Sequence, residues 1–479
     1  MRSILFKARR GAAGIPGAVL VVLLAAPFAW LGCESSRTVQ PAAGASGRPQ
    51  EQPRPSTLRP VPASAPGVTV MAQATIAAAG DVLMHDAVKQ TAAQHRTPEN
   101  DEGFGWLWAP VADLLSSADV TFANLETPIA PRSGRRSRSF VFNAPPTVLH
   151  ALRRAGVSLV SVANNHVFDQ GRAGFEETLR QLEAAGMPYV GAGEAGHESG
   201  PRFVEANGLR LAFLAYAHFF NQPGNDCLPP GSGGGEESPG RGCVRASLLD
   251  PERAVADVRA AAREADAVIV SLHWGNEYQR QPREADAALA HRLVDAGALI
   301  VLGHHPHVLQ PIELVTAPDG RTALVAYSLG NFISNQSRRY VHGVTPAEVG
   351  ATRDGILLRA TVAKRDYGRG VVRVELGSVA WWPLWTENDT TSAARRGRPA
   401  IRVVSLDREL AAVRAAIAAM PQPVAPGDRA RYVRLRQREE LYVARRAAIA
   451  ATVGEDLQAE APPGPPSGRA APATEAPAR

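Results

Sequence analysis

The sequence predicts an α/β protein, and three observations carry that prediction. Six short apolar runs each stop at a polar cluster, amphipathic helical stretches separate several of them, and every cluster lies at the carboxyl end of its run. Runs that are β-branched and apolar at every position suit strands buried on both faces. Strand and helix in repetition argue for a sheet with helices packed over it. Ligands in such sheets collect beyond the carboxyl ends of the strands, so six loops distant in the chain are expected to build one site.

The first run, Thr75-Ile76-Ala77-Ala78-Ala79, leads into Gly80-Asp81. Val120-Thr121-Phe122-Ala123 leads into Asn124-Leu125-Glu126, and Leu159-Val160-Ser161-Val162-Ala163 into Asn164-Asn165-His166. A helix over residues 171–185 follows, with Phe175, Leu179 and Leu182 on one stripe. Asp250-Pro251 reads as an N-cap with proline at the first helical position, opening a helix that turns Val255, Val258 and Ala262 inward. Ala267-Val268-Ile269-Val270-Ser271-Leu272 then leads into His273-Trp274-Gly275, and another helix packs Leu289 and Leu293. Residues 299–302 lead into Gly303-His304-His305-Pro306-His307, where three imidazoles fall within four positions and Pro306 helps to fix a bend. Leu324-Val325-Ala326-Tyr327 leads into Ser328-Leu329-Gly330-Asn331. Beyond about residue 355 the pattern changes: residues 356–362 and 370–379 alternate like antiparallel strands, and 409–419 and 429–451 are helical.

At 479 residues with 45% apolar content the chain can bury a large core. Its organisation reads as a leader (1–33), a Pro/Ala/Ser-rich linker (34–72), a globular domain (73–390), a helical extension (391–455) and a disordered tail (456–479). Arg2, Lys7, Arg9 and Arg10 precede an apolar stretch that ends at Leu31-Gly32-Cys33. That arrangement resembles a bacterial lipoprotein signal whose cysteine, Cys33, is lipidated, although Trp30 stands where such signals prefer leucine. An ordinary cleaved signal peptide and an uncleaved anchor are the alternatives, and all three imply export to the cell envelope. Removing the leader's four basic groups from the formal charge of +6 leaves only +2, which is no footprint for nucleic acid. In an oxidising compartment, Cys227 and Cys243 around a glycine-rich loop read as a disulfide contributing roughly 3 kcal/mol; a metal or redox pair is the alternative. Arg132-Ser-Gly-Arg-Arg-Ser-Arg138 is either a solvated basic loop or a contact for an anionic polymer.

Collected on the six rims are Asp81, Glu126, Asn165, His166, His273, His305 and His307. Carboxylate, amide oxygen and neutral imidazole are the donor set for two first-row divalent ions sharing a site. His304 reads as a group behind the ligands or at the surface, Asn164 as a turn residue, and Asp169 and Glu277 as groups that orient histidines. Trp274 and Tyr278 wall the pocket or fill the core, and Asn331 donates to an anionic substrate or caps a turn.

The motifs Gly80-Asp81, Asn124-Leu125-Glu126-Thr127-Pro128, Asn164-Asn165-His166-Val167-Phe168-Asp169-Gln170-Gly171, His273-Trp274-Gly275-Asn276-Glu277-Tyr278, Gly303-His304-His305-Pro306-His307 and Ser328-Leu329-Gly330-Asn331-Phe332 are similar, in order, to those of the CapA (poly-γ-glutamate capsule) family. That family is related to calcineurin-like metallophosphoesterases. The resemblance covers about residues 73–360 and implies a four-layer α/β/β/α sandwich with a dinuclear site for Mn, Fe or Zn. It further implies Asp81 on the first ion, Glu126 in the bridging place and Asn165 on the second ion. His273, His305 and His307 complete the set, with His166 as general acid or phosphate binder; Asn124, Asn164 and Asn331, like Asp169, Glu277 and His304, are expected either at the substrate or behind the ligands. Two departures stand out: His85 lies four residues past Asp81 instead of two, and Glu126 takes the place of an aspartate. Two functions follow from the resemblance. One is a metal-dependent phosphoester hydrolase; the other is a non-catalytic component that handles an anionic capsule polymer beside other capsule-synthesis proteins.

Overall fold

The computed structural model of the chain describes residues 67–97, 103–227, 243–389 and 400–454. The leader with Cys33, the linker up to 66, the glycine-rich loop and the expected tail lie outside these residues. The described residues form one compact unit. Among the described residues no helix is long and apolar enough to cross a membrane.

The chain opens with β1 (Thr69–Val82), α1 (Asp86–Gln94), α2 (Phe104–Trp108), α3 (Ala112–Leu115), β2 (Val120–Asn124), α4 (Thr147–Arg154), β3 (Leu159–Ser161), α5 (Gly171–Ala184) and β4 (Tyr189–Val190). It continues with β5 (Ala192–Glu194), β6 (Arg202–Ala206), β7 (Leu209–Ala217), β8 (Val244–Ala246), α6 (Pro251–Ala261), β9 (Ala267–His273), α7 (Glu284–Ala296), β10 (Ala298–His304), β11 (Ile312–Thr316) and β12 (Thr322–Ala326). Then come β13 (Asn331–Ile333), β14 (Asp354–Asp366), β15 (Val372–Asn388), β16 (Ile401–Ser405), α8 (Leu406–Ala418) and α9 (Arg429–Val453).

The first sheet runs β16-β15-β14-β1-β2-β3-β4, with β13 also beside β1, and the second runs β11-β12-β10-β9-β7-β6. Strands β1 to β4 are parallel to one another, as are β7, β9, β10 and β12. All six apolar runs are strands, three in each sheet. Burial of β2, β3, β9 and β10 at every position is what their unbroken apolar sequence requires.

Alternation along the strands divides the core into three layers. Ile76 and Ala78 of β1 and Phe122 of β2 face Phe213 of β7, Ile269 of β9 and Leu302 of β10 between the sheets. The intervening Ala77, Ala79 and Ala123 face helices of the first half, while Leu214, Val268 and Val270 face α6 and α7. Helix, sheet, sheet and helix therefore stack as a four-layer α/β/β/α sandwich. Asp250 caps α6 as the sequence suggests, accepting from Arg253 N at 2.9 Å. Cys227 and Cys243 are joined in a disulfide, with Cα atoms 5.8 Å apart.

Two boundaries fall elsewhere than the composition suggests. β1 begins at Thr69, inside the expected linker, because residues 69–79 pair with β14 for most of its length. The expected helical extension also holds β16, whose Ile401, Val403 and Val404 are buried and which pairs with β15. After it, α8 and α9 pack Leu406, Leu410, Tyr442 and Ile449 against Trp381 and Trp385 of β15. Beneath them Arg445 ion-pairs with the buried Asp354.

Candidate metal centre

Strand register brings the first group of donors together. Asp81 stands opposite Asn124 on β2 and opposite Asn331 on β13. The β1–β2 register slips between Ala78 and Asp81, the kind of irregularity that re-aims a side chain at a strand end. A Cβ on Gly80 would overlap the Gly330 carbonyl, so the close approach of β1 and β13 requires glycine there. Beyond β2 and β3, Glu126 and the Asn164-Asn165-His166 turn reach the same edge.

The second sheet supplies the imidazoles. His273 and His304 are ladder neighbours at the ends of β9 and β10. Past His304 the chain turns through His305 (φ +96°) and His307 (φ +57°), both in the left-handed region, with Pro306 between them. Backbone held there at a non-glycine residue is strained, and such strain gathers at functional sites. Tyr278 (φ +63°) completes the turn by donating its N–H to Pro306 O at 2.8 Å.

Asn124 sits at the hub. Its Nδ2 lies 2.8 Å from Asp81 Oδ1, 3.3 Å from Glu126 Oε2 and 3.3 Å from His273 Nδ1. Asp81 is approached by His304 Nδ1 and His307 Nδ1, each at 3.1 Å, and by His305 N at 3.3 Å. His307 Nδ1 is also 3.1 Å from Asn331 Oδ1. With two oxygen acceptors there, Nδ1 carries the proton and Nε2 offers its lone pair.

Glu126 Oε1 is buried and has no hydrogen-bond partner. Around it stand His273 Nε2 at 3.7 Å, His307 Nε2 at 3.8 Å and His166 Nε2 at 3.9 Å. Donors bonded at near 2.1 Å to one ion lie about 3–4 Å from each other. Two triads, Glu126/His273/His305 and Asp81/Glu126/His307, each gather their donor atoms within 4.8 Å, and both include Glu126. A third, Glu277/His305/His307, lies on the outer side. Asn165 Oδ1 joins the first triad at 3.0 Å from His273 Nε2. A partnerless carboxylate oxygen ringed by imidazoles fits a cation, and these residues could hold a metal.

Burial dominates the electrostatics. It pushes Glu126 well above the usual carboxylate range, assisted by the charges of Asp81, Glu277 and Asp169. Burial also opposes ionisation of Asp81, yet hydrogen bonds from His304 and His307 hold that group well below the usual range. His273 is driven far below the ordinary imidazole value by burial and by His305. His305 is lowered to about 3 by burial and by His307. Neutral imidazoles are the metal-binding form.

The remaining expectations resolve individually. His304 is fully buried, which removes the surface alternative; it braces Asp81. Asn331 is buried too, and its Nδ2 is taken by Gln336 Oε1 and Thr352 O, both at 2.8 Å. It therefore aligns His307 from β13, which is tucked against β1. Asp169 Oδ2 lies 2.8 Å from His166 Nδ1. Asn164 ties the loops, donating to Leu125 O at 2.9 Å and to Asn124 Oδ1 at 3.3 Å. Glu277 is 43% exposed, with Oε1 3.9 Å from His307 Nε2. Trp274 is core, donating to Tyr327 O at 3.1 Å, whereas Tyr278 is half-exposed on the rim. His85 does not join the ligands; its Nδ1 accepts from Asn335 N at 3.2 Å.

Sequence reasoning passes over β7, another apolar run that ends in His218-Phe219-Phe220. Phe219 packs its ring 5.2 Å from His305, and Phe142 lies 4.6 Å from His166. The device of an apolar run ending at a histidine was present at His218 and could have found the first of these.

Residues 75–336 match the profile of the bacterial capsule synthesis protein PGA_cap family. The chain is 30% identical over 275 residues to the capsule biosynthesis protein CapA of Bacillus anthracis, covering 55% of this chain and 60% of that one. It is 27% identical over 294 residues to the PGA biosynthesis protein CapA of Bacillus subtilis (strain 168), covering 60% and 68%. The match thus spans less than two thirds of the Bacillus anthracis protein. The TT1561 protein of Thermus thermophilus is a remote structural likeness, at 13% identity and a TM-score of 0.28 over 64% of this chain and 98% of that one, too distant to inform the site.

Proposed function

The chain belongs to the bacterial capsule synthesis protein PGA_cap family, and from that premise we propose that it is an envelope-tethered component of capsule or exopolymer assembly, of the poly-γ-glutamate kind, which hydrolyses phosphoesters at a centre for two divalent ions. The observation that carries this reading is the partnerless Glu126 Oε1, common to two triads of donors. Asp81, Glu126 and His307 would hold one ion; Glu126, Asn165, His273 and His305 would hold the other, with Mn, Fe or Zn suited to the donor set. Bound there, the ions supply Lewis-acid activation of water and of a phosphoryl group. The chain supplies the proton: His166 donates Nδ1–H to Asp169, and when the ring also carries a proton on Nε2, which is directed at the centre, that second proton passes to the leaving oxygen and leaves the ring neutral. Asn124 and Asn331 hold the ligands in place. The tether is the leader ending at Cys33, and the partners are an anionic envelope polymer and other capsule-synthesis proteins.

A second reading, handling of the polymer without hydrolysis, is favoured by one observation. His85 is turned to Asn335 and is no ligand, which leaves the Asp81 side with fewer donors than its counterpart. Measuring bound metal and phosphodiester turnover on residues 55–479 separates the two. Stoichiometric metal, with turnover lost in both His166→Ala and His307→Ala, supports the hydrolase. Bound metal without turnover on any phosphoester sinks it and leaves polymer handling.

A further inference from the structure

Two loops on the rim of the metal centre combine arginines with apolar side chains left in water. In the first, Arg138 and Val141 exchange backbone hydrogen bonds of 2.9 and 3.0 Å across the two-residue tip Ser139-Phe140. Phe140 is 81% exposed, the highest value for a large apolar side chain among the described residues, and its φ is +60°. The loop is firmly built. Asn143 Nδ2 donates to Ala130 O and Arg135 O at 3.0 Å each, and Lys89 Nζ donates to Ser137 Oγ at 2.6 Å and Asn143 O at 2.8 Å. Arg132 pairs with the buried Glu177 at 3.1 Å. Arg135, Arg136 and Arg138 are all exposed, and no carboxylate among the described residues pairs with them.

The second loop, residues 338–349, holds the exposed Arg338 and Arg339 close to Val344, which is 79% exposed. The segments that lead out of the first loop and into the second both lean on His85: the Phe142 ring is 4.9 Å from it, and Asn335 N donates to it. The stem of each also connects to the centre, the first through Phe142 against His166 and the second through Gln336 to Asn331 and from there to His307.

We propose that these loops dock the rim of the metal centre onto an anionic lipid surface. Phe140 and Val344 enter the headgroup boundary while Arg135, Arg136, Arg138 and Arg339 meet lipid phosphates. Arginines alone would serve a soluble polyanion; such a polymer offers Phe140 and Val344 nothing to bury against, whereas a bilayer rewards apolar tip and cation together. A leader would hold the domain near a membrane without orienting it. Loop docking turns the mouth of the centre toward the bilayer, where a lipid-linked or emerging polymer is presented.

Flotation with vesicles tests this on residues 55–479. Binding is expected to vesicles of phosphatidylcholine containing phosphatidylglycerol, to be absent on phosphatidylcholine alone, and to weaken with salt. The combined Arg135→Ser, Arg136→Ser and Arg138→Ser variant should lose about a hundredfold in affinity. Phe140→Ser with Val344→Ser should lose about tenfold. Metal content and turnover on a soluble phosphodiester should be unchanged in both variants, which separates this test from that of the metal centre. In the full chain, amide exchange over residues 132–142 and 338–349 should slow only on the anionic vesicles. Equal binding to both vesicle types overturns the proposal. So does binding to soluble polyglutamate that depends on the arginines but not on Phe140 and Val344, which would make the loop a polymer arm.

Discussion

The two sheets bring different atoms to the centre. The first contributes oxygens, from Asp81, Glu126, Asn165 and Asn331, tied together by the amide nitrogens of Asn124 and Asn164; the second contributes nitrogens, from His273, His304, His305 and His307. Each sheet has one exception, and each exception has another role. His166 comes from the oxygen side and is bonded through Nδ1 to Asp169, while Glu277 comes from the nitrogen side and stays on the exposed rim. Neither edge could enclose an ion alone. Only the apolar packing between the sheets, Phe122 on Phe213 with ring centroids 6.0 Å apart among it, closes the shell. The difference also extends to protons. Burial favours the neutral form of His273 and His305, whereas in Glu126 it favours the protonated acid.

The sharpest way to break this division is at Glu126, the one oxygen donor common to both triads. Glu126→Gln should abolish stoichiometric metal, read by elemental analysis, and lower turnover by at least about a thousandfold. Next come the groups behind the donors, where losses of about 10–100-fold are expected. Asn331→Ala should weaken metal retention by freeing His307, while Asp169→Asn should lower turnover with the metal content intact.

Acidity sharpens the contrast further. Glu126 has a folded pKa raised above its unfolded value, so its proton stabilises the metal-free protein at low pH, an effect lost as pH rises through the raised value. Below the raised value an incoming ion must displace that proton. Calorimetry in buffers of different ionisation enthalpy should therefore show proton release, with affinity rising up to about tenfold per pH unit. The imidazoles behave oppositely. His85 and His305, lowered by burial to about 4 and about 3, stabilise above their unfolded value near 6.5 and lose this as pH falls. Melting of the metal-free protein should shift down by several degrees between pH 6.5 and 4. The smallest effect belongs to the rim: Glu277→Gln should change metal affinity only a few-fold, because water screens an exposed carboxylate.

Much of the centre was legible because strands buried on both faces leave an unbroken apolar signature, and each ends where its polar cluster begins. Asp81, Glu126, His273, His305 and His307 emerge from that pattern alone. Which sheet each strand joins does not, since periodicity carries no pairing information. Asn331 was ambiguous because its role depends on β13 lying against β1, a contact between residues far apart in sequence. The left-handed turn at His305 and His307 was equally hidden, as histidine gives no glycine-like signal for that conformation. β16 escaped because five residues of strand before a long helical stretch weigh little in composition.

Strand β1 pairs with β14, β2 and β13 and points alternate residues into two different cores before delivering Asp81. Loss or gain of one residue between Ala74 and Gly80 would swap both faces at once and carry the carboxylate away from its histidines. Over evolutionary time this segment can drift in side chain, except at Gly80, but not in length. Indels in descendants of this chain should therefore accumulate in the surface connections and spare these seven positions.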